Sequence, residues 1–121
     1  MSHALIYKIV PRPLWEAARA EGVFRGAPVD LADGYIHFST AEQVAETARR
    51  HFAEQADLLL LRVDTAQLGD LRWEPSRGGD LFPHLYEPLP LAAVVTEEAL
   101  PWNGDGHVFP ADMSTRTASG A

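Results

Sequence analysis

The chain contains no cysteine. Disulfides, thiolate nucleophiles and zinc sites built with sulfur are therefore excluded. Long apolar runs are also missing; none approaches the roughly 18 residues of a membrane-spanning helix. The opening Met1-Ser2-His3-Ala4-Leu5-Ile6-Tyr7-Lys8 has no charged start ahead of a long apolar stretch, so it does not read as a signal peptide. A cytoplasmic location is the expectation. Positive charge is scarce: 10 Lys and Arg against 17 Asp and Glu leave a net charge of -7. That balance argues against nonspecific binding to nucleic acid or to anionic membranes, which need a positive surface. Several motifs are absent too. Gly78-Gly79 lacks the Lys-Ser/Thr of a phosphate loop, and no G-x-S-x-G elbow or H-x-x-x-H pair occurs.

What is present is an ordinary globular composition, 46% hydrophobic and 22% charged over 121 residues. One α+β domain is expected over residues 1–102, with 103–121 as a tail whose final eight or so residues are disordered. Strands outnumber helices and do not alternate with them, which predicts a small, mixed, mostly antiparallel sheet with two main helices.

The strands are read at Ala4–Val10, Tyr35–Phe38, Asp57–Val63, Leu71–Glu74, Leu81–Tyr86 and Leu91–Leu100. Leu58 to Leu61 form a four-leucine run, which predicts a central strand covered on both faces. Pro75 is expected to end the fourth strand. Pro13 opens a helix that Gly22 closes. A second helix begins near Thr40, with Thr40/Gln43 or Ser39/Glu42 at capping-box spacing and Val44, Ala48 and Phe52 on one face. Residues 23–32 read as loop, with Gly26 and Pro28 as breakers.

Candidate chemistry lies in three short blocks. In Tyr35-Ile36-His37-Phe38-Ser39-Thr40, His37 and Ser39 alternate with apolar residues and so share a strand face. His37 either braces a turn or contacts a ligand; Ser39 either caps the helix or does the same. In Leu81-Phe82-Pro83-His84-Leu85-Tyr86 the same period places Phe82, His84 and Tyr86 together. In Leu71-Arg72-Trp73-Glu74, Glu74 is either a surface carboxylate or, if it faces a histidine, a group that stabilises a developing cation or activates a hydroxyl. His37, Glu74 and His84 have metal-ligand chemistry but no diagnostic spacing, and no metal site is expected. His3, His51 and His107 read as solvated.

These three blocks, the last continued through Glu87-Pro88-Leu89-Pro90, resemble a bacterial family catalogued as domain of unknown function 952. The resemblance runs from about Leu5 to Leu100. One departure is Glu87, where the family usually carries glycine. The family is in turn distantly similar to the ADP-ribosyltransferase-like fold, which includes RNA 2'-phosphotransferases. That similarity implies a nucleotide pocket for NAD as ligand or substrate, with no other cofactor required. His37 and Ser39 match the H-x-S pattern whose histidine and hydroxyl hold the ribose and nicotinamide amide. Tyr86 or Trp73 would stack the nicotinamide; His84, on the Tyr86 strand face, is read from the residues as either part of an ordinary aromatic strand edge or a hydrogen-bonding imidazole for a ligand. Glu74, and after it Glu87, would be the acidic residue at the nicotinamide ribose. The implied activity is ADP-ribosyl transfer or glycosidic cleavage of NAD, with Glu74 and His37 catalytic. The alternative is a non-catalytic binding module in which the same polar groups are structural.

Overall fold

The structure is a computed structural model that describes residues 4–113. The expectations for His3 and for a disordered last segment lie outside those residues. The chain orders itself as β1 (Leu5–Pro11), α1 (Arg12–Glu21), β2 (Val23–Phe24), α2 (Pro28–Asp33), β3 (Ile36–His37), α3 (Val44–His51), β4 (Leu58–Asp64), β5 (Leu71–Ser76), β6 (Asp80–Leu85), β7 (Leu89–Pro90) and β8 (Val94–Ala99). Every strand pairing is antiparallel. The strands form two three-stranded sheets, β1-β4-β8 and β3-β6-β5, and a small β2-β7 ladder. The α+β class with antiparallel sheets is as the composition implies.

The four-leucine run is the centre of the first sheet. Leu59, Leu61 and Val63 enter one core with Ile6, Val10 and Trp15. Leu58 and Leu60 enter the other, with Tyr7, Ile9, Val44 and Ala48. A period of two thus feeds two cores from one strand. Helix α1 begins at the proline pair and packs Trp15 against Phe24, with ring centroids 5.8 Å apart. Gly22 ends it in the left-handed conformation. Thr40 and Gln43 form the reciprocal cap, each side chain accepting the other's backbone N–H at 3.2 and 3.0 Å. The helix proper starts only at Val44, after a turn over residues 41–43.

Several local expectations are corrected. Residues 23–32 are not a loop throughout: β2 and α2 lie there. Pro28, read as a breaker, is the first residue of α2, where its missing N–H costs nothing. Pro75 does not end β5, which continues to Ser76 in register with Asp80; β5 is an edge strand, where proline is tolerated. The last strand starts at Val94, after a 3-10 turn at Leu91–Ala93. The folded body also runs past residue 102. Arg62 forks onto Asp112 at 2.6 and 2.7 Å, and Met113 is buried in the second core.

The two sheets share the first core, where Ile6, Leu59 and Leu61 pack with Ile36 and Leu85, and a backbone bridge links them. Ser39, just beyond β3, bridges Tyr7 of β1 through paired backbone hydrogen bonds of 2.8 Å each. Beside this junction a cleft of about 600 Å³ opens, walled by both sheets and by α3.

Candidate functional site

The site is built on the pairing of β3 with β6. His37 lies directly opposite His84 in that ladder, so both side chains leave the same face. Their rings meet edge to face, 5.6 Å between centroids. Tyr35, two residues before His37, covers both: its ring stacks on His84 at 4.2 Å and tilts against His37 at 4.7 Å.

Each histidine is backed by carboxylates, in different ways. His37 Nδ1 meets Asp30 Oδ1 at 2.6 Å and Nε2 meets Asp33 Oδ2 at 2.9 Å. The first is a hydrogen bond that Nδ1–H donates to the carboxylate; the second is an ion pair only when the ring is protonated. Asp30 is almost fully buried and accepts from four donors: the backbone N–H groups of Ala27 and His37, His37 Nδ1 and Lys8 Nζ. Burial opposes its charge. The bond from His37, the Lys8 ammonium and the backbone N–H groups outweigh that and hold its pKa at about 2. Lys8 is pushed down from the ordinary lysine range by burial, which Asp30 only partly offsets.

His84 has one carboxylate. Glu74 Oε1 accepts from His84 Nδ1 at 2.7 Å and from the Tyr86 hydroxyl at 2.7 Å. These two bonds hold the Glu74 carboxyl below its usual range. The same bond to Glu74 raises the Tyr86 hydroxyl. Tyr35 is raised as well, by burial first and then by Asp33 and Glu74. With Nδ1–H donated to an ionised Glu74, a neutral His84 carries its lone pair on Nε2. Among the described residues Trp15 Nε1 is the buried side-chain polar atom without a partner. His84 Nε2, which makes no protein hydrogen bond there, is thus open to the cleft that His84 lines.

Of the residues singled out in the sequence, His37, Ser39 and His84 line the cleft. Glu74 and Tyr86 stand behind His84. Trp73 is on the opposite face of the β5–β6 hairpin and packs against the first core. Tyr86 already carries the Arg72 guanidinium over its ring at 4.2 Å. Ser39 does not cap α3; its hydroxyl meets that of Thr47 at 2.8 Å. Thr47 donates to Gln43 O, so Ser39 is the donor in that pair. Glu87 lies apart, accepting the Gly69 N–H at 2.7 Å. His107 Nε2 meets the Gln55 carbonyl at 2.8 Å, away from the cleft.

Sequence reasoning missed Asp30, Asp33, Lys8 and Tyr35. Tyr35 was legible, since i and i+2 share a strand face. The others depend on α2, which brings Asp30 and Asp33 over β3. No group of three or more His, Asp or Glu side chains is arranged to hold a metal ion among the described residues. No helix there is long and apolar enough to cross a membrane.

A family model described as "Protein of unknown function (DUF952)" matches residues 9–97. Among solved structures, the X-ray structure of protein CC0527 from Caulobacter crescentus is 50% identical, with a TM-score of 0.86, covering 91% of this chain and 98% of that one. A double mutant of the same protein gives 48% identity, a TM-score of 0.86 and the same 91% and 98% coverage. Its solution NMR structure gives 53% identity and a TM-score of 0.77 over 86% of this chain and 90% of that one. None of the curated proteins matches.

Proposed function

The chain belongs to the family of unknown function 952, and for this member of it we propose an NAD-like nucleotide as ligand, with cleavage or transfer at its nicotinamide–ribose bond. One observation carries the reading: β3 and β6 set His37 and His84 side by side at a cleft of about 600 Å³, with Ser39 beside them. That volume suits a small organic ligand. The H-x-S strand supplies a ring and a hydroxyl to the ribose and carboxamide. Stacking comes from the cleft's own aromatic wall, Phe52 or Phe82. Trp73 faces the core, and Tyr86 already has Arg72 on its ring. Breaking the nicotinamide bond leaves an oxocarbenium-like centre, and the Glu74 charge behind His84 stabilises it.

Two features of the histidines support chemistry over bracing, while Glu74 stands behind His84 and does not line the cleft. Their ring partners are carboxylates, not local backbone groups, and both rings line one cleft. A second reading has its own support: the Ser39 hydroxyl is held by Thr47 and its backbone by Tyr7, as in a purely structural junction. On that reading the cleft belongs to a non-catalytic binding module.

An NMR titration with NAD separates them. Amide shifts grouped at residues 36–40 and 82–86, with nicotinamide appearing on longer incubation, are expected. Shifts without nicotinamide would favour the module. No shifts at millimolar NAD would remove the nucleotide reading.

A further inference from the structure

Glu74, His84 and Tyr86 form a unit whose use is not exhausted by charge stabilisation. Glu74 Oε1 accepts from His84 Nδ1 at 2.7 Å and from the Tyr86 hydroxyl at 2.7 Å, so the ring is held from one side. Tyr35 stacks on it from above at 4.2 Å. His84 is only 3% exposed, and it lines the cleft. A carboxylate on Nδ1 with Nε2 open is the arrangement of a histidine general base, tautomer and orientation both set by the acid behind it. His37 is not equivalent. Its Nδ1 is bonded to Asp30 and its Nε2 lies 2.9 Å from Asp33 Oδ2, so neither nitrogen is left facing an open position.

We propose that His84 is the general base of this site, positioned by Glu74, and that the acceptor it activates is water, making the protein an NAD glycohydrolase rather than a transferase to a macromolecule. The proposal rests on the nucleotide reading above and names its second substrate. Two features select water. A base is needed only for a neutral O–H nucleophile, which a phosphate or carboxylate, already ionised, is not. The His84 ring is also nearly buried, which favours an acceptor the size of water over a protein or nucleic-acid side group. In the step, a water oxygen bonds to the anomeric carbon as the bond to the nicotinamide nitrogen breaks. The bond's electron pair neutralises the pyridinium, nicotinamide leaves uncharged, and the water proton passes to His84 Nε2 and then to solvent. NAD and water become ADP-ribose, nicotinamide and one proton.

The test follows NAD in ¹⁸O-water, with binding measured separately by the amide titration. ADP-ribose carrying one ¹⁸O at the anomeric position is expected. His84→Gln is expected to lower turnover by about 10²- to 10⁴-fold with NAD affinity changed only a few-fold. Imidazole added to His84→Gly should restore part of the rate, which a merely structural histidine would not allow. Glu74→Gln should lower kcat with KM nearly unchanged, and Glu74→Asp should recover more than Glu74→Ala. Bound NAD that turns over equally fast in both His84 variants would overturn the base assignment alone. Nicotinamide release with no ¹⁸O in the product would overturn water as acceptor. Absence of NAD binding in the wild type would overturn the nucleotide reading itself, and this inference with it.

Discussion

Asp30 carries more of the site than any residue legible in the sequence. It is the buried counter-ion of Lys8 and the partner of His37, and no other described carboxylate accepts from both. Asp30→Asn keeps the shape but leaves a buried ammonium without its charge, a loss of about 3–5 kcal/mol in urea unfolding. The pH dependence has a definite sign. The folded pKa of about 2 lies below the ordinary 3.8, so this carboxylate stabilises the fold fully above the ordinary value and loses the effect as pH falls through about 2. The expected decline is about 2 kcal/mol across that window, and the Asn variant should lack it. His37→Ala is a less clean binding knock-out than the sequence suggests. It removes a donor from buried Asp30, so a stability loss of about 1–3 kcal/mol accompanies any loss of NAD binding.

Among the elements, α2 is the piece on which the site depends, and two glycines frame it. Gly34 ends it at φ +89 with open space where a methyl would project, so Gly34→Ala meets only the left-handed backbone penalty, about 1 kcal/mol. Gly26 precedes it at φ +128, and an added Cβ would sit 2.9 Å from Asp30 Cβ. Gly26→Ala therefore displaces Asp30 as well. It should destabilise more than Gly34→Ala in thermal melts and shift the His37 ring resonances, which Gly34→Ala should leave in place. For β4, Leu60→Ala empties a fully buried position in the central strand and should cost about 2–5 kcal/mol.

Across the fold as a unit, the segment after residue 102 is an integral part. Its anchor is the Arg62 fork onto Asp112, while Glu98 takes the remaining Nε at 2.9 Å. Hydrogen bonding to Arg62 holds the Asp112 carboxyl at about 2. Asp112→Ala should speed amide exchange at Val108 and Met113 and leave the β1–β4 ladder protected, because the segment opens locally while the central sheet opens only globally. Equal acceleration in both places would show that the segment opens only together with the central sheet.

Alternation was readable from the chain of residues alone. An unbroken apolar run marked the leucine strand, and polarity of period two marked the His37–Ser39 and Phe82–Tyr86 strands, because side-chain direction in a strand is local geometry. The Thr40–Gln43 cap and the Pro13 and Gly22 ends of α1 were readable for the same reason: the partners lie within one turn. Pairings across sequence distance came from the three-dimensional arrangement. Whether His37 faces His84, whether Glu74 reaches His84, and whether Trp73 turns to the core follow from register, and register is set by which strands meet. The short α2, too brief to announce itself by periodicity, is held by Asp30's contacts with Lys8 and His37, so its existence and the site's electrostatics arise together from the fold.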